Sequence, residues 1–292
     1  MTVAEIISKI FLPISLAIIM LGMGMTLIPH DFTRILKNPK AILIGLINQL
    51  VFLPVIGFLL AITFNLSPEM SVGLIILASC PGGPTSNLIV QICRGNIALS
   101  VTLTAISSIV SVLTIPFILF YALSYFSTDT EVMIKLPMLD TILQIMAITV
   151  IPISIGMLIR KFNTQFAKQM EKPMRIASTI IFILVFLAVI AANLNIIRQA
   201  MKEVGLVTLL FNLITMGLGY LTAKLFKLNF KSIISITVDS GIQNGALAFV
   251  IATSILNNVE MGIPTGAYVI WMYITGGILM WQLGKGSKVE AK

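Results

Sequence analysis

Asp239 is the residue from which the chemistry of this chain is best read. Of its 11 acidic residues it is the one set inside a long apolar run, Ser232-Ile-Ile-Ser-Ile-Thr-Val-Asp-Ser-Gly-Ile-Gln-Asn-Gly-Ala-Leu-Ala-Phe-Val-Ile-Ala, which continues to Leu256. A carboxylate at the centre of a bilayer costs at least about 2.5 kcal/mol, so it is kept where a cation or a proton meets it. Asp239 therefore reads first as an ion site. Other oxygen-bearing side chains lie in apolar surroundings elsewhere: Gln49, Ser86 with Asn87, and Ser100 with Thr104. The last two stand four apart and share one helix face. Taken singly, either hydroxyl, or Gln49, is as readily an ordinary hydrogen-bonding group between helices.

The elements that must position these residues are membrane helices. Hydrophobic residues make up 58% of the 292-residue chain and charged ones 10%; mean hydropathy is +1.04. A soluble domain carries roughly 25% charge. Apolar stretches of 18 residues or more, the length that crosses about 30 Å of hydrocarbon, recur along the chain. They predict nine spans, 9–28, 39–64, 69–92, 96–126, 138–160, 174–194, 203–226, 230–257 and 262–283. With the C-terminus inside, every one of the 19 Lys and Arg falls in an inside segment except Lys9, Lys135, Arg198 and Lys202. That places the N-terminus outside, in a multi-pass protein of the cytoplasmic membrane. The net charge of +8 is then a topology signal, with no soluble basic face for a nucleic acid. The two cysteines, Cys80 and Cys93, imply no disulfide framework. Phe11 to Leu27 lacks the flanks of a cleaved signal and reads as a retained span.

Two spans are interrupted. The third meets Pro81-Gly-Gly-Pro-Thr-Ser-Asn, and the eighth breaks over Asp239-Ser-Gly-Ile-Gln-Asn-Gly. Proline removes amide donors and glycine favours open backbone, so both runs free backbone groups that must be satisfied inside the protein. A single such break is often a plain kink. Two of them, in the last-but-one span of each half and running in opposite directions, mark an inverted repeat with its binding site at the midplane. The repeat pairs spans one to four with six to nine; Gly45-Leu-Ile-Asn-Gln and Phe211-Asn-Leu-Ile-Thr are a weak echo of it.

Ser79-Cys-Pro-Gly-Gly-Pro-Thr-Ser-Asn with Arg94-Gly-Asn-Ile-Ala-Leu-Ser-Val, and Asp239-Ser-Gly-Ile-Gln-Asn-Gly-Ala-Leu-Ala, resemble the two signature regions of the bile acid:sodium symporter family. The resemblance runs from about Leu21 to the last span. It implies an all-α inverted-repeat transporter of the nine-helix type, with crossing broken helices in a core domain (within 39–126 and 203–283) beside a panel domain (within 9–28 and 138–194). It also implies two sodium ions. Ser86, Asn87, Ser100, Thr104 and Asp239 would hold the first; Gln49, Asp239, Gln243 and the carbonyls of Ser240 and Ile242 the second. All are oxygen donors, which a hard cation prefers.

Three departures from the family stand out. Asp239 sits where the family usually has Glu, one methylene longer; Pro84 replaces an often small polar residue; and Trp271-Met-Tyr stands where bacterial bile acid binders resemble Trp-His-Asn. The first puts one of the two sodium sites in doubt, and the last the identity of the substrate. Two sodium ions against one carboxylate leave a local positive charge, so the expected cargo is a small organic anion, from pantoate-like acids to amphipathic steroid acids. Thr85, Asn244 and Tyr273 are the expected contacts, although Tyr273 is equally a packing aromatic. A sodium/proton antiporter would call for a second midplane acid, and a non-transporting sensor is the other alternative. An enzyme is not expected: the single histidine, His30, lies in a loop, and no His-Glu-x-x-His or Gly-x-Ser-x-Gly occurs.

Overall fold

The computed structural model describes residues 10–33, 39–126, 138–170, 173, 176–177, 180 and 194–284, with side chains in the last stretch from Lys202 onward. In chain order its main helices are α1 (Leu12–Gly24), α2 (Pro39–Thr63), α3 (Pro68–Ser79), α4 (Pro84–Ile92), α5 (Ile97–Phe126), α6 (Met138–Phe162), α7 (Leu194–Leu225), α8 (Phe230–Gly241), α9 (Gly245–Ile255) and α10 (Ile263–Gly284). Five of the helices among the described residues are long and apolar enough to cross a membrane. The helices coincide with the first five expected spans and the seventh to ninth. The sixth, 174–194, lies almost wholly outside the described residues, and α7 begins earlier than expected, at Leu194.

Local sequence sets the helix limits. Prolines 13, 39, 68, 84 and 264 stand in opening turns, where a missing N–H leaves no bond unmade. Asn65, Arg94, Lys227 and Asn257 end α2, α4, α7 and α9 in the left-handed conformation, with φ of 49°, 59°, 55° and 53°. After the first three, the next amide reaches back to a helix carbonyl: Leu66 to Ala61, Gly95 to Val90 and Leu228 to Ala223. Within α2, Pro54 cannot donate to the carbonyl one turn back. The ladder slips to the wider π spacing over Asn48–Phe52, with the Leu53 amide on the Asn48 carbonyl. Gln49 lies in this widened turn.

The two interrupted spans occupy the centre. Every residue of α3 from Met70 to Ser79 is buried, and so is every residue from Val238 to Thr253. α2, α5 and α10 pack on α3; α7, α5, α4 and α2 pack on α8. Outward faces of the enclosing helices are apolar yet exposed, at Leu43, Ile47, Val51 and Leu59 on α2 and at Leu113, Phe117 and Tyr121 on α5. Lipid solvates such faces as water does a polar one. To one side, α1 lies along α6, with Gly24 against the Ile153 carbonyl and Gly156 against that of Leu21.

One boundary differs from expectation. Asp239, Ser240 and Gly241 remain helical, and the eighth span opens only at Ile242 to Asn244. The Ile242 amide still donates to the Val238 carbonyl, at 2.9 Å, which carries the helix one turn past the point where the glycine pattern would end it.

Candidate cation site at the crossing of the broken helices

The two breaks hydrogen-bond to each other. Gly82 and Gln243 pair as an isolated antiparallel bridge, and the Asn244 amide donates to the Pro81 carbonyl at 2.9 Å. Backbone groups that lost their helical partners are thus satisfied without water. Side chains complete the accounting. The Gln49 amide, Nε2, donates both to the Cys80 carbonyl, at 2.7 Å, and to Gln243 Oε1, at 2.6 Å. Gln243 Nε2 donates to the Ser240 carbonyl at 3.0 Å. Asn244 Oδ1 caps α9 by accepting from the Leu247 amide at 3.0 Å.

Beside this crossing lies a cluster of side-chain oxygens around one carboxylate. Asp239 is only 5% exposed. The Ser100 hydroxyl stands 2.7 Å from Asp239 Oδ1 and 2.7 Å from Asn87 Oδ1, yet has a single proton to donate. Asp239 Oδ2 and Thr104 Oγ1 are buried with no hydrogen-bond partner. Ser86 adjoins the carboxylate, and its hydroxyl donates to the Gly83 carbonyl at 2.9 Å, which leaves its lone pairs free. A cavity of about 10 Å³ lies here, lined by Gln49, Gly82, Thr104, Ser107, Asp239 and Ser240 among others. A buried carboxylate oxygen without a hydrogen-bond partner is rare in native proteins and calls for a counter-group. A hard monovalent cation fits this set, since each free group offers oxygen and the carboxylate supplies one negative charge.

The structure brings together every residue expected at the ion sites: Gln49, Ser86, Asn87, Ser100, Thr104, Asp239, Ser240, Ile242 and Gln243. Thr85, Asn244 and Tyr273 instead line a second, larger cavity of about 700 Å³, with Asn87 and Gln243 at its polar end. Its remaining wall is largely apolar, including Met23, Leu88, Val101, Val269 and Met272, and no charged side chain lines it among the described residues. Asn244 Nδ2 is buried and without a partner at this wall. Pro84 opens α4, and Gly83, Pro84 and Thr85 line the same polar end.

Two groups were not anticipated from sequence. Ser107 reaches the small cavity one turn beyond Thr104. Behind the break, the Gly241 carbonyl accepts from Asn212 Nδ2 and from the Tyr268 hydroxyl, each at 2.8 Å, and Thr275 Oγ1 donates to Asn212 Oδ1 at 2.8 Å. This network ties α7, α8 and α10 together.

Residues 13–200 match the model of the sodium bile acid symporter family. The chain is 30% identical over 287 residues to YocS of Bacillus subtilis (strain 168), described as an uncharacterized sodium-dependent transporter, a match covering 97% of this chain and 85% of that protein. It is 29% identical over 281 residues to the probable chloroplastic sodium/metabolite cotransporter BASS1 of Arabidopsis thaliana, covering 95% and 68%. With the human ileal sodium/bile acid cotransporter it shares 26% over 247 residues, covering 84% and 69%. The helical architecture, the paired breaks and these matches agree, and the chain belongs to the sodium bile acid symporter family of sodium-dependent membrane transporters.

Proposed function

We propose that this protein is a symporter that uses sodium to import an organic anion across the cytoplasmic membrane by alternating access. The observation that carries the reading is the oxygen cluster at Asp239, a buried carboxylate whose Oδ2 has no hydrogen-bond partner, with Thr104, Ser86, Asn87 and Ser100 around it. Sodium at that cluster neutralises the carboxylate and compacts the crossing of the breaks. The polar end of the large cavity is thereby set for an anion by the Asn244 amide and the N-terminal end of α4. A wall that is mostly apolar and a volume of about 700 Å³ favour an amphipathic anion with a sizeable apolar body over a small hydroxy acid. A sodium/proton antiporter would call for a second carboxylate at the crossing, and among the described residues Asp239 stands there alone.

The nine-span inverted repeat is part of this reading. Asn65 and Lys227, and Arg94 and Asn257, end helices of equivalent rank in the two halves with the same left-handed turn. Gln49 donates its carboxamide to the carbonyl before the first break, 31 residues on; Asn212 does so to the carbonyl at the second, 29 residues on. α2 to α5 and α7 to α10 would then form the core, and α1, α6 and the sixth span the panel. With the C-terminus inside, the large cavity, reached by Leu88, Gln91 and Ile97 at the ends of α4 and α5, opens toward the cytoplasm.

Asp239→Asn tests the function. The variant should insert and fold, lose the rise in melting temperature that sodium chloride gives over potassium chloride, and lose sodium-dependent uptake of labelled organic anions. Unchanged sodium dependence in the variant would refute the ion-site reading.

A further inference from the structure

Where α2 begins, α7 ends and α8 begins, one corner of the molecule carries cations and exposed apolar side chains with no acid to answer them. Lys40, Lys224, Lys227 and Lys231 are all exposed there. Lys40 ties the start of α2 to the turn between α7 and α8, its Nζ standing 6.0 Å from the centre of the Phe226 ring, and α2 packs on both α7 and α8. The turn that follows Arg94 joins the same corner, with the Asn96 amide donating to the Lys231 carbonyl at 3.0 Å. No Asp or Glu occurs in the stretches that meet here, 32–68, 70–128 and 204–238. We propose that this corner binds an anionic phospholipid, its phosphate held among the four lysines and its acyl chains laid on Leu221 and Leu225 of α7.

Charge selects an anion, and the apolar surface beside it selects a lipid. Leu221, Leu225 and Phe230 are 62%, 77% and 65% exposed. Leu221 and Leu225 stand four apart on one face of α7, next to Lys224. A free phosphate would engage the lysines and leave that face bare, whereas an acyl chain covers it while the headgroup takes the charge. Lys224 Nζ lies 5.3 Å from the centre of the Tyr220 ring and donates to its hydroxyl at 3.3 Å. Amphipathic lysines and tyrosines placed in this way mark the level of the lipid headgroups. With the C-terminus inside, the corner lies in the cytoplasmic leaflet, where clustered lysines attract anionic lipids. None of the four lysines lines either cavity, so the lipid site stands or falls apart from the sodium-coupled reading.

The test is titration of the full chain in detergent with dioleoyl phosphatidylglycerol, dioleoyl phosphatidylcholine or glycerol phosphate, read as melting temperature at low ionic strength. Phosphatidylglycerol should raise it saturably. Phosphatidylcholine, with the same chains and no net charge, should not, and neither should glycerol phosphate, with the charge and no chains. Lys224→Gln with Lys231→Gln should weaken the apparent affinity for phosphatidylglycerol at least fivefold. Lys161→Gln with Lys168→Gln, an equal change of charge at two other exposed lysines, should weaken it less than twofold. Should the first pair melt early, Lys40→Gln with Lys227→Gln carries the same test. Equal stabilisation by the two phospholipids, or equal losses in the corner and comparison pairs, would overturn the inference. Stabilisation by glycerol phosphate as strong as by phosphatidylglycerol would assign the corner to a free phosphate and overturn it as well.

Discussion

At the scale of single residues, Asn244 does two jobs with the two ends of one carboxamide. Its oxygen caps α9, and its nitrogen is left unpartnered at the large cavity. Asn244→Asp separates the two, because a carboxylate caps a helix as well as an amide does. The variant should still insert and fold, with a melting temperature lowered by the cost of a second midplane carboxylate, and should take up a labelled steroid acid at least tenfold more slowly, since a negative charge then faces the anion. Undiminished uptake would remove Asn244 from the substrate contacts. Residues such as Asp239, Gln49 and Asn244 are legible in the sequence because a carboxylate or carboxamide in an apolar run carries a transfer cost that something must offset. Ser107 and Tyr268 are not. A membrane-helix hydroxyl can bond the carbonyl one turn back, as Ser79 does to Ile75, Thr208 to Val204 and Thr215 to Phe211, so its presence signals nothing until a neighbouring helix is in place.

Among the elements, α1 and α6 meet at a crossing that only glycine permits. A Cβ on Gly156 would fall on the Leu21 carbonyl and the Met25 amide, and one on Gly24 on the Ile153 carbonyl, all of them backbone that cannot rotate away. Gly156→Ala should therefore cost about 1–3 kcal/mol and lower the melting temperature by several degrees. Its sodium response should persist, because neither glycine lines the cavity at Asp239. A variant as stable as the parent would mean that the two helices separate more readily than their packing indicates. The sequence marks the breaks through their prolines and glycines, but places the edge of the second one too early. Gly241 stays helical because Asn212 and Tyr268 hold its carbonyl from behind. Such a limit is set by tertiary contacts, which no run of residue types encodes.

For the molecule as a whole, the proposed orientation places the large cavity on the cytoplasmic side. Cys80 and Cys93 are both buried, so Thr85→Cys and Tyr273→Cys can be probed after Cys80→Ala and Cys93→Ala. Both positions line the cavity, and both should react with a membrane-impermeant maleimide in inverted vesicles, not in right-side-out ones, with sodium and a bound anion slowing the reaction. Labelling from the outer face alone would reverse the assignment. The helices that match the first five and the seventh to ninth spans are readable from hydropathy. The bridge between Gly82 and Gln243 is not, because it joins distant stretches through backbone atoms that every residue possesses.

The solitary carboxylate at the crossing bears on how hard this carrier can pump. Each sodium ion that moves down its gradient supplies about 1.4 kcal/mol per tenfold of concentration ratio. A monovalent anion cancels the charge of one such ion, so the membrane voltage, worth about 2.3 kcal/mol per charge at 100 mV, acts only through any further ion carried.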